Sequence, residues 1–289
     1  MKQPLVSVVI PAYNAAAYIA ETIRSVQQQT FSDWELIVVD DGSADETAAI
    51  VSGFLSDRRI QYIRQENAGV SAARNHGMRL AAGTFIAFLD ADDVWKPENL
   101  SLKTAYLEAN SSVLLVHADV ENIDEHSKPL GSFNSGKEGN VLRDLLLWNG
   151  TVVPGPSSIL VRKKAAEDVG GFDTALSTAA DQDFFFRLAA KGNFGRLRKI
   201  LSQYRIHASN MHANIALMER DHILTYRKAK QRNAFSSSRF RRKCFANLYL
   251  VLAGSWWVNG KNKSRGLKFL FKAFFIYPPS IGKLLRKFY

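Results

Sequence analysis

Leu5 to Ile10, LVSVVI, is a short aliphatic and β-branched run closed by Pro11, the pattern of a strand buried on both faces. Behind it, Ile19, Ile23 and Val26 fall at i, i+4 and i+7, one face of a helix. The unit then repeats. ELIVVDDGS (Glu35 to Ser43) is a second buried strand running into a turn, where Ser43 followed by Glu46 fits a capping box that opens a second helix. RIQYI (Arg59 to Ile63) predicts a third strand, VSAARNHGMRLAAG a third helix ending on Gly83, and TFIAFLD a fourth strand. Strands alternating with helices of these lengths predict an α/β fold around a mainly parallel, doubly wound sheet.

In such sheets ligands sit beyond the carboxyl ends of the strands, where loops converge and helix N-termini carry partial positive charge. Three polar clusters fall there: PAYN after the first strand, DDGS after the second, DADD after the fourth. In FLDADDVW, Asp90, Asp92 and Asp93 follow directly on a run of apolar residues. Three carboxylates this close repel one another unless a cation is present, and hard oxygen donors suit Mg²⁺ or Mn²⁺ bridging to a substrate phosphate. The plainer reading is an Asp-rich turn before a helix with Pro97 and Glu98 in its first turn.

VSVVIPAYN, then ELIVVDDGSADET, then QENAGVSAARNHGMRLAAGTFIAFLDADD, then GGFD and DQDFFFRL, taken in this order, resemble the inverting family 2 glycosyltransferases of the GT-A fold. The likeness covers roughly residues 5 to 207. It implies that Pro11, Ala12 and Tyr13 line a nucleotide pocket, that Asp41 hydrogen-bonds the base, usually uracil, and that Asn67 and Arg74 complete the pocket. Asp90 and Ala91 would meet the nucleotide sugar, Asp90 at the ribose. Asp92 would be the direct metal ligand, helped by Asp93 and by His207, with Arg205 an alternative partner for the phosphates. Asp181 falls where the family keeps its general base. An aspartate with a pKa near 3.9 is ionised at neutral pH and accepts the proton of an attacking hydroxyl. Without the resemblance, Asp181 reads as the N-cap of the helix FFFRLAA.

Two departures qualify the likeness. Ala180 stands where the family usually has Glu before the base, which removes a contact to donor or acceptor. The Gln-x-x-Arg-Trp string of processive synthases is absent after Asp181, so one sugar per encounter is expected.

Composition adds a division. The 289 residues are 46% hydrophobic, enough for a full core, and carry a net charge of +11. Residues 1 to 195 hold 17 Lys+Arg against 25 Asp+Glu, a net of −8; residues 196 to 289 hold 21 against 2, a net of +19. The boundary is therefore drawn as a GT-A domain over 1–205 and a basic, aromatic-rich helical tail over 206–289. Cys244 is the sole cysteine, so no internal disulfide framework exists, and the absence of a leader pattern places the chain in the cytoplasm by default. The tail's longest uncharged stretch, Cys244 to Gly260, is 17 residues, short of the roughly 20 that a span needs. Trp256, Trp257 and the Phe and Leu residues beside Lys and Arg suit helices lying on an anionic membrane surface through 236–289; the alternative is that they pack on the catalytic domain and the charges are solvated. Nucleic acid would also answer the charge, but no nucleic-acid module motif appears.

The expectation is a Mn²⁺- or Mg²⁺-dependent inverting glycosyltransferase, moving one sugar from a UDP-sugar to a glycan or lipid-linked acceptor in bacterial surface polysaccharide or glycolipid synthesis, peripheral on the inner face of the cell membrane. A nucleotidyltransferase would carry a Gly- and Arg-rich loop after the first strand, where this chain has PAYNA. A non-catalytic nucleotide-sugar binder or membrane scaffold of the same fold is the second reading. HADVENIDEHSKPLGSFNSGKEG is read from its polarity as an acceptor loop.

Overall fold

A computed structural model describes residues 3–148, 150–207, 214–280 and 282. The chain forms two compact units: Met1–Val141, Thr151–Ala175 and Arg187–His207 make the first, and Leu142–Gly150, Leu176–Phe186 and Ala208–Tyr289 the second. The division falls close to the expected boundary, but two stretches from inside the expected catalytic domain, 142–150 and 176–186, group with the basic helices.

The first unit begins with β1 (Val6–Ala12), α1 (Ile19–Gln27), β2 (Trp34–Asp40), α2 (Thr47–Ser52), β3 (Ile60–Arg64), α3 (Val70–Leu80) and β4 (Phe85–Phe88). β3, β2, β1 and β4 lie side by side, all parallel. β1 and β4 are buried along their whole length, as their unbroken apolar runs require. Next come β5 (Val94–Trp95), α4 (Asn99–Ala109), β6 (Val113–Ile123), β7 (Pro129–Asn134), α5 (Leu142–Leu147, in the second unit), β8 (Ile159–Arg162) and α6 (Lys163–Asp168). α7 (Ala180–Ala189, its residues up to Phe186 in the second unit) and β9 (Asn193–Arg205) follow. Beyond β4 the sheet is mixed: β8 runs antiparallel to β4 and β6, β9 parallel to β6, and β5 antiparallel to β9.

Several local expectations are corrected. β1 does not stop at Pro11 but carries it to Ala12. β4 pairs with β1 only as far as Val9, so Pro11 has a paired neighbour on one side alone, the edge condition under which strand proline is tolerated. Ser43 does not cap α2: the N-cap is Glu46, without a side-chain cap bond, and the Ser43 hydroxyl accepts the Asn14 N–H instead. α3 ends at Leu80, before Gly83, whose missing side chain is explained by packing: a Cβ there would lie 2.6 Å from the Ser7 nitrogen. Pro97 and Glu98 precede α4 rather than forming its first turn. The polar stretch expected as an acceptor loop is largely the hairpin β6–β7, its β6 residues mostly buried.

The second unit contains α5, α8 (Ile215–Gln231), α9 (Ser238–Val258) and α10 (Lys263–Ile276). Helices α8 and α9 satisfy the end of α5: the Tyr226 hydroxyl donates to Leu146 O at 2.9 Å and Asn247 Nδ2 to Leu147 O at 2.7 Å. Cys244 is buried and unbridged. Among the described residues no helix is long and apolar enough to cross a membrane.

Candidate active site

The turn after β4 is fixed by α1 and by Ser157. The Thr22 hydroxyl of α1 is shared between Ala91 O at 2.9 Å and Asp93 O at 2.8 Å. The Asp90 N–H donates to Ser157 Oγ, and Trp95 Nε1 to Ser157 O. Buried Ala91 is thus a backbone anchor of the turn.

Two carboxylates of this turn each meet a nitrogen partner. Arg74 of α3, buried and 5.1 Å over the Phe172 ring, pairs with Asp90. His207, just past β9, sets Nε2 2.9 Å from Asp92 Oδ2 and lies 5.0 Å from the Tyr18 ring. Both carboxylates keep 29% exposure. Burial and the neighbouring Asp90 charge push the Asp92 carboxyl upward, against the pull of His207.

Asp93 departs from its expected role as a metal ligand. It is buried, its Oδ1 accepts the Arg205 N–H at 3.1 Å, and it bonds Ser157. Burial, then Asp92 and Asp90, raise its carboxyl well above the usual range. It braces the turn from inside. Arg205 is likewise withdrawn from the phosphate role: fully buried, it donates to Asp92 O at 2.8 Å, Ser127 Oγ at 2.9 Å and Glu21 at 2.7 Å, and lies 4.7 Å over the Tyr18 ring. It ties α1 and the β6–β7 turn to the acidic turn.

Pro11 and Ala12 are buried at the end of β1, while Tyr13 is exposed just beyond them. The Asp41 carboxylate is also buried, and the loop before α3 occupies it. Oδ1 accepts Gln65 Nε2 at 2.7 Å and the Ala68 N–H at 2.9 Å, and Oδ2 accepts the Gly69 N–H at 2.8 Å. Gly42, at φ 81°, allows that loop to close: a Cβ there would lie 3.1 Å from the Asn67 nitrogen. Asn67 is exposed. Before it, Asp40 takes the Tyr62 hydroxyl and the Ser43 N–H; burial raises its carboxyl, but these bonds prevail and hold it below the usual range, while Tyr62 is pushed up to about 12 by burial and by Asp40.

Asp181 belongs to the second unit. It lies inside the first turn of α7, not at an N-cap, half-buried, with Oδ1 accepting the Gln182 N–H. Ala180 is fully buried. The segment around them is anchored by α8, a connection the sequence reading missed. Buried Asp221 accepts the Ser177 and Thr178 N–H groups at 2.8 and 2.9 Å on Oδ2, with Arg220 on Oδ1. Arg232 donates to buried Asp183 at 2.6 Å. The available signal was rarity: Glu219 and Asp221 are the two acids of residues 196–289. Glu219 also anchors, taking Trp256 Nε1 and Arg265.

Among the described residues no group of three or more His, Cys, Asp or Glu side chains stands ready to hold an ion. What the turn offers is Asp92 beside His207, with a second carboxylate close enough to disfavour ionisation. That donor set fits a hard cation such as Mg²⁺ or Mn²⁺, which is commonly bound through one or two carboxylates plus substrate phosphate and water.

Residues 7–170 match the family described as Glycosyl transferase family 2. An uncharacterized glycosyltransferase of Rickettsia bellii is 31% identical over 73% of this chain and 30% of its own length, so the chain spans about a third of that relative. A UDP-Glc:alpha-D-GlcNAc-diphosphoundecaprenol beta-1,3-glucosyltransferase of Escherichia coli is 40% identical over 44% of this chain and 50% of its own. Staphylococcus aureus TarS 1-349, solved with UDP-GlcNAc, superposes with a TM-score of 0.70 at 18% identity, covering 97% of this chain and 83% of the other, and shares the GT-A fold.

Proposed function

The chain belongs to glycosyl transferase family 2, and from that premise we propose that it moves one sugar, with inversion, from a UDP-sugar to an acceptor hydroxyl. The observation that carries this reading is the pair of partly exposed carboxylates in one turn, Asp90 on Arg74 and Asp92 on His207, at the carboxyl end of a parallel strand. Tyr13, Asn67 and the Asp41-fastened loop stand at the neighbouring strand ends, the place where such sheets take nucleotides. Pro11, Ala12 and Ala91 contribute shape and backbone there. A divalent cation held by Asp92 with His207 would supply charge neutralisation for the leaving diphosphate. Arg74 orients Asp90 toward the ribose. Asp181 takes the proton of the acceptor hydroxyl as its oxygen attacks the anomeric carbon, and a single in-line displacement inverts that centre.

The E. coli relative is named for transfer to a diphosphoundecaprenol-linked sugar, which supports a lipid-linked acceptor and a role in bacterial surface polysaccharide synthesis. The basic segment 236–289 is proposed to meet an anionic membrane surface on the cytoplasmic side. Buried Ala180 keeps a second reading in view, a non-catalytic nucleotide-sugar binder.

Thermal shift with UDP, GDP and TDP, with and without Mn²⁺, tests the donor reading. UDP with Mn²⁺ should raise the melting temperature, and Asp92→Ala should abolish the metal-dependent part. Equal shifts from all three nucleotides, or none from any, would overturn it.

A further inference from the structure

The two last helices differ in a way composition does not show. α9 buries Phe240, Cys244, Leu248 and Leu252 along its length and exposes Trp257 and Val258 at its C-terminal end. α10 buries only Gly266, Phe269 and Ala273. Gly266 makes the close approach to α9 possible, since a Cβ there would lie 3.1 Å from Ala253 O. On the other side of α10, Ser264, Leu267, Lys268, Phe271, Lys272 and Phe275 line one shallow groove. Leu267 is 41% exposed, Phe271 59% and Phe275 79%. Large apolar side chains aligned at i, i+4 and i+8 in water mark an interaction surface rather than random exposure.

Charge identifies the partner. No Asp or Glu occurs from His222 to Tyr289, against sixteen Lys or Arg. At the edge of the stripe, Lys272 Nζ lies 4.9 Å over the ring of buried Phe269 and 5.8 Å over Tyr249 of α9, so its stem runs along apolar surface while its charge sits on the α9 side of the groove. Two copies of this face brought together would set Lys268 and Lys272 against their own kind, with no acid on the helix to answer them. Phospholipid phosphates would answer them directly.

We propose that the Leu267–Phe271–Phe275 face of α10 docks on an anionic lipid bilayer, with the three apolar side chains entering the acyl boundary and Lys263, Lys268 and Lys272 meeting headgroup phosphates. This deepens the membrane reading above and narrows it from 236–289 to one helix face; α9 serves as the platform. Apolar insertion and lipid charge act together, as in interfacial helices.

Vesicle sedimentation of the full chain tests this without turnover, so its failure leaves the transferase reading standing. Vesicles of phosphatidylcholine with about one third phosphatidylglycerol should carry the protein down at roughly 0.15 M salt, and pure phosphatidylcholine should do so at least about tenfold less well. Phe271→Ser with Phe275→Ser should weaken binding by about tenfold or more, and Lys268→Gln with Lys272→Gln should weaken it and flatten the salt dependence. Both pairs are exposed, and matched thermal melts confirm folding. Wild-type protein that ignores the anionic vesicles, or a phenylalanine pair variant that binds as wild type, would overturn the proposal. So would loss of self-association in that variant with vesicle binding intact, which would make the face a contact between copies.

Discussion

His207 Nε2 lies 2.9 Å from Asp92 Oδ2, joining the segment after β9 to the turn after β4 across 115 residues of sequence. Its neighbour Asp93 faces the other way, onto the Arg205 N–H. The two aspartates should therefore respond differently. Asp92→Asn should lower kcat/KM for transfer by about 100-fold or more, the scale of losing a principal charge-stabilising group. Asp93→Asn keeps an acceptor oxygen for Arg205 and should stay within several-fold of wild type. Steady-state kinetics on both variants, at matched metal concentration, checks the contrast.

Asp221 holds the backbone of Ser177 and Thr178, three to four residues before Asp181. Asp221→Ala leaves those N–H groups and Arg220 without their partner and should destabilise the fold by about 3 kcal/mol. If Asp221 positions the base, kcat should also fall by about tenfold while donor KM holds, and Asp221→Asn, which retains an acceptor oxygen, should restore most of it. A purely structural role would lower the active fraction and leave kcat per folded molecule unchanged.

The parallel half of the sheet was legible because β1, β2 and β4 are continuous apolar runs with polar turns at one end. The acidic turn was legible because its charge has no place in a buried strand. Asp93 could not be told from Asp92 by spacing: adjacent residues point apart, and only the Arg205 backbone decides which faces inward. The grouping of 142–150 and 176–186 with the tail helices was hidden for a similar reason. It depends on long-range bonds to Tyr226, Asn247 and Asp221, whose local sequence reads as an ordinary basic helix.

Lys103 of α4 is fully buried, 5.9 Å over the Trp95 ring, and among the described residues its side-chain nitrogen has no hydrogen-bond partner; burial drives its pKa well below the usual value. Lys103→Met keeps the volume and removes that penalty. The variant should be more stable by about 1–3 kcal/mol, read as a higher urea midpoint at unchanged slope. Destabilisation would show that the amine is satisfied in solution.

His117 of β6 is buried, its Nε2 2.7 Å from Lys137 O, and burial first, then the charges of Lys103 and Arg196, lower its pKa to about 4. The neutral ring is the folded form. Its stabilising contribution is present in full above the unfolded value near 6.5 and is lost as pH falls through 4, about 3 kcal/mol in all. Urea midpoints at pH 7.5, 5.5 and 4 should decline, and the decline should shrink in His117→Gln.

The most direct measurement is nucleotide release from a panel of UDP-, GDP- and TDP-sugars with Mn²⁺ or Mg²⁺, for wild type and Asp92→Ala. Metal-dependent turnover of one UDP-sugar, absent in the variant, is the expected result. Equal turnover by Asp92→Ala, or turnover indifferent to metal, would contradict the central claim that this carboxylate and its cation carry the leaving diphosphate.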